Sequence, residues 1–157
     1  GLFKGFVLNI NYARLYSTTE SFFLTSETVL IIPVPPIFET TYTNHVREVP
    51  MPSQAPHVFN ISVGYDFKKF SSRISGTYQG TKADGYSSNK DFDRFTLNFW
   101  RWDASVKQRF GNNWSVFLNL NNLTNQQDIS FTRSERYRNT VETYGFTGTI
   151  GLQYQIK

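Results

Sequence analysis

Tyr144-Gly-Phe-Thr-Gly-Thr-Ile-Gly-Leu-Gln-Tyr-Gln-Ile-Lys157 alternates along its length. Phe146, Ile150, Leu152, Tyr154 and Ile156 fall on one parity, and Thr147, Thr149, Gly151, Gln153 and Gln155 on the other. Such a period of two gives a strand one apolar and one polar face. Soluble strands typically run about 5–6 residues, whereas membrane-spanning strands need about 9–11 tilted residues. The stretch predicts the last strand of a transmembrane antiparallel β-barrel, apolar outside and wet inside.

The composition fits that expectation. Aromatic residues make up 17% of the chain and charged residues only 18%. There is no cysteine, which removes disulfides and thiolate metal sites from consideration. No stretch approaches the roughly 18 apolar residues of a membrane-spanning helix. The densest apolar run, Val29-Leu-Ile-Ile-Pro-Val-Pro-Pro-Ile-Phe38, is broken by prolines. Net charge is +4, with Lys and Arg scattered, so no nucleic-acid partner is expected.

The same parity test predicts five further strands. Gly5–Tyr16 sets Phe6, Leu8, Ile10 and Tyr12 against Asn9 and Asn11. Val58–Phe67 sets Phe59, Ile61, Val63, Tyr65 and Phe67 against Asn60, Ser62, Gly64 and Asp66. Phe70–Gln79 sets Phe70, Ile74 and Tyr78 against Arg73, Ser75, Thr77 and Gln79. Trp100–Phe110 sets Trp102, Ala104, Val106 and Phe110 against Asp103, Ser105, Lys107 and Arg109. Trp114–Leu123 sets Trp114, Val116, Leu118 and Leu120 against Ser115, Asn119 and Asn121, with Phe117 breaking the polar face. Aromatics near both ends of these strands read as interfacial girdles, because Trp and Tyr favour positions half apolar and half wet.

The connections alternate in length. Lys68-Lys69 and Gly111-Asn112-Asn113 have the length and chemistry of hairpin turns. Ser17–His57, Gly80–Phe99 and Thr124–Thr143 are long links, which are uncommon in compact domains. Outer-membrane barrels have short periplasmic turns and long extracellular loops. The expected location is therefore a bacterial outer membrane, with the C-terminus in the periplasm. A soluble β-sandwich would instead bury the apolar faces between two sheets.

Three stretches resemble TonB-dependent outer-membrane receptors, especially those of Bacteroidota. They are Gly1-Leu-Phe-Lys-Gly-Phe-Val-Leu-Asn-Ile-Asn-Tyr12, Phe99-Trp-Arg-Trp-Asp-Ala-Ser-Val-Lys-Gln-Arg-Phe110 and Trp114-Ser-Val-Phe-Leu-Asn-Leu-Asn-Asn-Leu-Thr124. Asn121-Asn-Leu123 is similar to that family's strand-end signature. Thr149–Ile156 resembles the signal read by the barrel-assembly machinery, carried by Gly151, Tyr154 and Ile156, although the chain departs from it by ending on Lys157. The resemblance implies a barrel of about 22 strands around a plug. Six strands cannot close around a plug, and open edges in lipid cost several kcal/mol per unpaired group. Residues 1–157 are thus expected to be about six C-terminal strands of a larger barrel whose plug and earlier strands lie elsewhere, or one contributor to an oligomeric barrel. The implied function is TonB-dependent uptake of a nutrient into the periplasm. A passive porin or an adhesin-like barrel stays open as the alternative. Implied partners are the remaining barrel and plug, the TonB complex through an N-terminal part absent here, the lipid bilayer with lipopolysaccharide, and a surface lipoprotein.

No catalytic constellation is visible, and neither enzymatic activity nor a cofactor is expected. His45 with Glu39 and Glu48 is the one metal-like trio, more simply read as solvated loop residues. Asn60, Asn113 and Asn122 match glycosylation sequons by chance in a bacterial setting. Candidate contacts lie in the links: Val29, Ile32, Ile37 and Phe38 in the first, and Phe131, Arg133, Arg136 and Tyr137 in the third. Ten largely apolar residues outside a membrane need cover, and rigid scaffolds commonly carry recognition on loops. Arg73, Asp103, Lys107 and Arg109 are expected to face the lumen.

Overall fold

The computed structural model describes residues 4–33 and 35–156. Gly1–Phe3, Val34 and Lys157 figure in the first stretch quoted for the family resemblance, the apolar run and the terminal signal, and lie outside the described residues. The described strands are β1 (Phe6–Arg14), β2 (Thr18–Pro33), β3 (Pro36–Pro50), β4 (His57–Phe67), β5 (Phe70–Gln79), β6 (Lys82–Gly85), β7 (Arg94–Thr96), β8 (Phe99–Phe110), β9 (Trp114–Asn121), β10 (Gln127–Thr132), β11 (Arg138–Thr143) and β12 (Thr147–Tyr154). One short 3-10 turn covers Lys90–Phe92.

The six expected strands form one sheet in the order β1-β4-β5-β8-β9-β12, antiparallel throughout. The expected bounds shift by a few residues: β1 stops at Arg14 and β9 at Asn121. Both predicted turns close as expected, with Lys68 at φ 53° and Gly111 at φ 58° supplying the left-handed residue of a tight hairpin.

Register lays the faces out as rungs. One rung runs Phe6, Tyr65, Ser72, Val106, Leu118, Ile150 across all six strands, and another runs Tyr12, Phe59, Tyr78, Trp100. The opposite face carries Asn11, Asn60, Thr77 and Arg101 in one rung and Arg73, Ser105, Asn119 and Thr149 in another. The apolar face is bare: Leu8 is 63% exposed, Ile74 54% and Ile150 76%. Among the described residues no second sheet covers it, which removes the sandwich reading, since water would not tolerate a face of this extent. Aromatics edge the face at both ends. Trp100 packs on Phe59 and Tyr78 with ring centroids 5.8 and 5.1 Å apart, and at the other end Trp114 meets Tyr154 at 4.6 Å.

Phe117, the one apolar side chain on the polar face of β9, has a partner made for it. It pairs with Gly151, and a Cβ built on Gly151 would stand 2.1 Å from the ring. The ring thus lies over the glycine and fills the gap in the strand, a device that pins register. Gly151→Ala is expected to displace the ring and cost about 1–3 kcal/mol, as overpacking does. The check is denaturant unfolding in micelles. Gly151→Ala combined with Phe117→Ala should lose less than the sum of the two single changes.

The three long links are not loops, and this corrects the sequence reading. Each continues the hairpin it joins. Gln79↔Phe99 in β5–β8 runs on as Lys82↔Thr96 in β6–β7. Asn121↔Thr147 in β9–β12 runs on as Gln127↔Thr143 in β10–β11. Arg14↔His57 in β1–β4 runs on as Thr18↔Pro50 in β2–β3. The physical reason is composition: β2 and β3 are rich in Thr, Val, Ile and aromatic residues, and half of β11 is Thr or Val, which suit extended backbone. The continuations form a four-stranded sheet, β11-β10-β7-β6, and a separate two-stranded ribbon, β2-β3.

Candidate functional site

All the continuations leave the sheet at one end, so candidate binding residues gather there. The base of the ribbon packs on the link between β5 and β8. Val49, Ala55 and Ala83 are buried, and Phe95 stacks on Phe131 with centroids 5.5 Å apart. The Ser53 amide donates to the Ala83 carbonyl at 2.7 Å, and the Tyr86 hydroxyl to the Pro50 carbonyl at 2.8 Å.

Arg47 latches the ribbon in place. It lies on the face of β3 that also presents Phe23, half-buried against the link. Its guanidinium bonds the Asp93 carboxylate at 2.5 Å and the Ser87 carbonyl at 3.1 Å. It also lies 5.5 Å from the Phe23 ring centre and 5.4 Å from that of Tyr86, within range of cation–π attraction. Asp93 is only 7% exposed and takes a second donor, the Ser87 amide, at 2.9 Å. Partial burial raises the pKa of Tyr86 above its ordinary 10.0, Asp93 raises it further, and Arg47 opposes both. A raised folded pKa favours the protonated phenol in the native state. The resulting stability is full below pH 10.0 and is lost as pH rises through the folded value. Ultraviolet titration should therefore show late-ionising tyrosine absorbance that is reduced but not abolished in Tyr86→Phe, because the bond to Glu142 raises Tyr144 as well.

Between ribbon base and link lies a cavity of about 510 Å³, walled by Leu15, Met51, Pro56, Ala83, Tyr86 and Phe95, with Glu48 and Lys82 also contributing. Its volume falls in the range of small-molecule pockets, roughly 300–1,000 Å³.

The expected contact residues separate into groups. Val29, Ile32, Ile37 and Phe38 come together at the ribbon tip, where Leu30 faces Phe38 and Ile32 faces Ile37. They stay open to solvent, Phe38 at 62%. Further down, Phe22, Leu24, Tyr42 and Val46 extend the apolar stripe on the face away from Arg47. Phe131 leaves the ligand-facing set: stacking on Phe95 buries it to 8% exposure. Arg133, Arg136 and Tyr137 are exposed around the β10–β11 turn, with Arg133 3.5 Å from Asp91. His45 and Glu39 point to one face of β3, six positions apart, and Glu48 to the other, so the trio cannot converge on a metal. Among the described residues no cluster of metal-ligating side chains occurs.

Arg73, Asp103, Lys107 and Arg109 all lie on the polar face, and the structure gives the first three local partners. Arg73 pairs with Asp66 at 2.8 Å. Asp103 accepts the Asn122 amide at 2.9 Å, and Lys107 donates to Gln153 at 3.3 Å. Of the terminal signal residues, Gly151 lies beneath Phe117, Tyr154 against Trp114, and Ile156 is 85% exposed.

Sequence reasoning missed Arg47, Asp93 and Tyr86, whose spacing carries no motif. It named Asn122 only within a strand-end signature and as a chance sequon, not as a structural residue. Asn122 is in the left-handed region at φ 55° and 5% exposed. Its side chain accepts the Gln126 amide at 2.7 Å and donates to the Gln126 and Gly145 carbonyls, both at 3.1 Å. It thus holds together the bend where β9 and β12 pass into β10 and β11.

Compared with known proteins, residues 3–123 match the family described as TonB dependent receptor-like, beta-barrel. No curated protein and no solved structure matches the chain.

Proposed function

Because this chain belongs to the TonB-dependent receptor-like β-barrel family, a family of outer-membrane receptors and transporters, we propose that it forms a six-stranded section of the wall of a larger plugged barrel that takes a nutrient into the periplasm. One observation carries the reading. A single antiparallel sheet has a bare apolar face edged by aromatic rungs, and a polar face of Asn, Ser, Thr, Arg and Asp. That sheet suits lipid on one side and a water-filled or plugged lumen on the other. Its outer edges, β1 and β12, need further strands, because unpaired backbone in hydrocarbon costs several kcal/mol per group. The turns Lys68-Lys69 and Gly111–Asn113, and the end of β12, then lie on the periplasmic side.

In this reading Arg73, Asp103, Lys107 and Arg109 face the lumen and steady the plug. Gly151, Tyr154 and Ile156 serve assembly, while the ribbon tip and the β10–β11 turn meet ligand or a surface partner such as a lipoprotein. The chemistry is binding and passage, with no bond made or broken.

Energised uptake by the intact receptor tests the function. Cells lacking the gene should lose accumulation of one nutrient class, and the full-length gene should restore it. A protonophore should abolish it; uptake that survives the protonophore would mean a passive channel. Deleting most of Thr28–Thr43 should leave heat-modifiable, outer-membrane barrel at wild-type abundance, since a shortened surface hairpin costs little closure entropy. Uptake at limiting substrate should fall at least several-fold. Unchanged uptake would confine the tip to packing of its own ribbon.

A further inference from the structure

The free edge of the membrane sheet does not stop at the membrane. β11 and β12 are one chain path with a bend at Tyr144–Phe146, where Gly145 takes φ 73°. The segments that pair as β9–β12 go on to pair as β10–β11, so β11 prolongs the edge that β12 leaves open. In an antiparallel ladder, alternate residues send both N–H and C=O to the same side. Gln155 donates to the Asn113 carbonyl, so Gly148, Ile150, Leu152 and Tyr154 turn theirs toward the free edge. The Ile129 carbonyl accepts from Leu97 of the β7 side. Asp128 and Ser130 therefore bond their β11 partners Glu142 and Thr140, and Val141 and Thr143 turn outward.

That outer edge is short, carries Arg138 and Glu142 and lies beside a register shift at Ser130/Phe131, yet among the described residues no element covers it. Free edges are commonly blunted by proline, inward-pointing charge or a covering element. Arg-Asn-Thr-Val-Glu-Thr has no proline, and its outward-bonding positions Val141 and Thr143 are β-branched. All six residues are exposed.

We propose that the seam along the β12 edge of this barrel wall has two tiers. The barrel strand that pairs with β12 in the membrane continues outward and pairs with β11 through Val141 and Thr143. The occupant is thus the outward prolongation of the barrel's own strand next to β12. It is argued from the continuity of the two edges, and it rests on the proposal that the sheet belongs to a larger closed barrel.

Residue-resolved hydrogen exchange on the full-length receptor in nanodiscs tests it. Ile150 and Leu152 report closure in the membrane, while Val141 and Thr143 report the outer tier. Slow exchange at all four, at least 100-fold below open-chain rates, is the expected result. Slow Ile150 and Leu152 with open-chain rates at Val141 and Thr143 would leave the barrel intact and overturn the outer tier. Fast exchange at Ile150 and Leu152 would overturn closure and the seam with it. Protection of Val141 that fades on dilution would assign the edge to a second copy, which also overturns the proposal. Val141→Pro should expose Thr143 while Thr140 and Glu142, bonded to β10, stay protected. Thr143 still protected in that variant would count against pairing at this edge.

Discussion

Arg47→Ala is expected to release the ribbon from the rest of the molecule while leaving the membrane sheet intact. The substitution strands Asp93, a carboxylate buried to 7% exposure with only the Ser87 amide left to it. Removing one partner of a buried ion pair typically costs about 3–5 kcal/mol, because the survivor keeps its desolvation penalty. The loss also takes away the Ser87 bond and the stacking of the guanidinium between Phe23 and Tyr86. The cost falls on the junction, since the bonds and ring contacts of Arg47 go to Asp93, Ser87, Phe23 and Tyr86, all outside the six-stranded sheet. Limited proteolysis and hydrogen exchange of residues 18–50 and 86–93 are the readouts. A local opening about 100-fold more populated than in wild type corresponds to roughly 3 kcal/mol. Arg47→Met with Asp93→Asn removes both charges and should recover most of the loss. An unchanged exchange pattern in Arg47→Ala would show that the ribbon is held by the apolar contacts around Val49 instead.

Asn122→Ala should be the most damaging single change at the bend between membrane and outer sheets. It removes three side-chain hydrogen bonds, to the Gln126 amide and to the Gln126 and Gly145 carbonyls. Each is worth about 1 kcal/mol net, and leaving buried groups unpaired raises the cost. It also forces alanine into φ 55°, a conformation about 1–2 kcal/mol unfavourable for residues other than Gly and Asn. The total expected loss is about 3–5 kcal/mol. Asn122→Gly keeps the backbone at ease and loses only the bonds, so it should be milder by about 1 kcal/mol. Guanidinium unfolding in micelles separates the two. Equal losses for Ala and Gly would mean that backbone strain plays no part.

These two residues mark where the sequence was readable and where it was not. The membrane sheet was legible because lipid on one face and water on the other impose a strict alternation, so Phe6 through Ile150 could be placed from parity alone. The turns Lys68-Lys69 and Gly111–Asn113 were legible from chemistry and length. The outer strands were not, because they have solvent on at least one side. Thr and Ser then serve on either face, and the period of two dissolves: β11 reads Arg-Asn-Thr-Val-Glu-Thr with no consistent parity. Arg47 and Asp93 meet across 46 residues of chain, and no local pattern joins them. Phe131 looked like a ligand contact because aromatic and basic residues cluster there. Only the pairing of β10 with β7 brings Phe95 against it and turns it inward.

The continued ladders also restrict how this wall can change in length over evolution. Between the last membrane pair Asn121↔Thr147 and the first outer pair Gln127↔Thr143, one arm has five intervening residues and the other three. One residue gained on either arm would exchange inside for outside along every outer strand beyond it, unless a bulge absorbed it. Length variation should therefore arrive in even steps within the ladders, or be exported to the three hairpin ends without register. Those are the ribbon end between Pro33 and Pro36, the connection between Gly85 and Arg94, and the turn between Thr132 and Arg138. The first and the last are also where the accessible candidate contacts stand. The rule that protects the wall thus concentrates novelty at its tips, and relatives with different ligands should differ there in number of residues before they differ anywhere else.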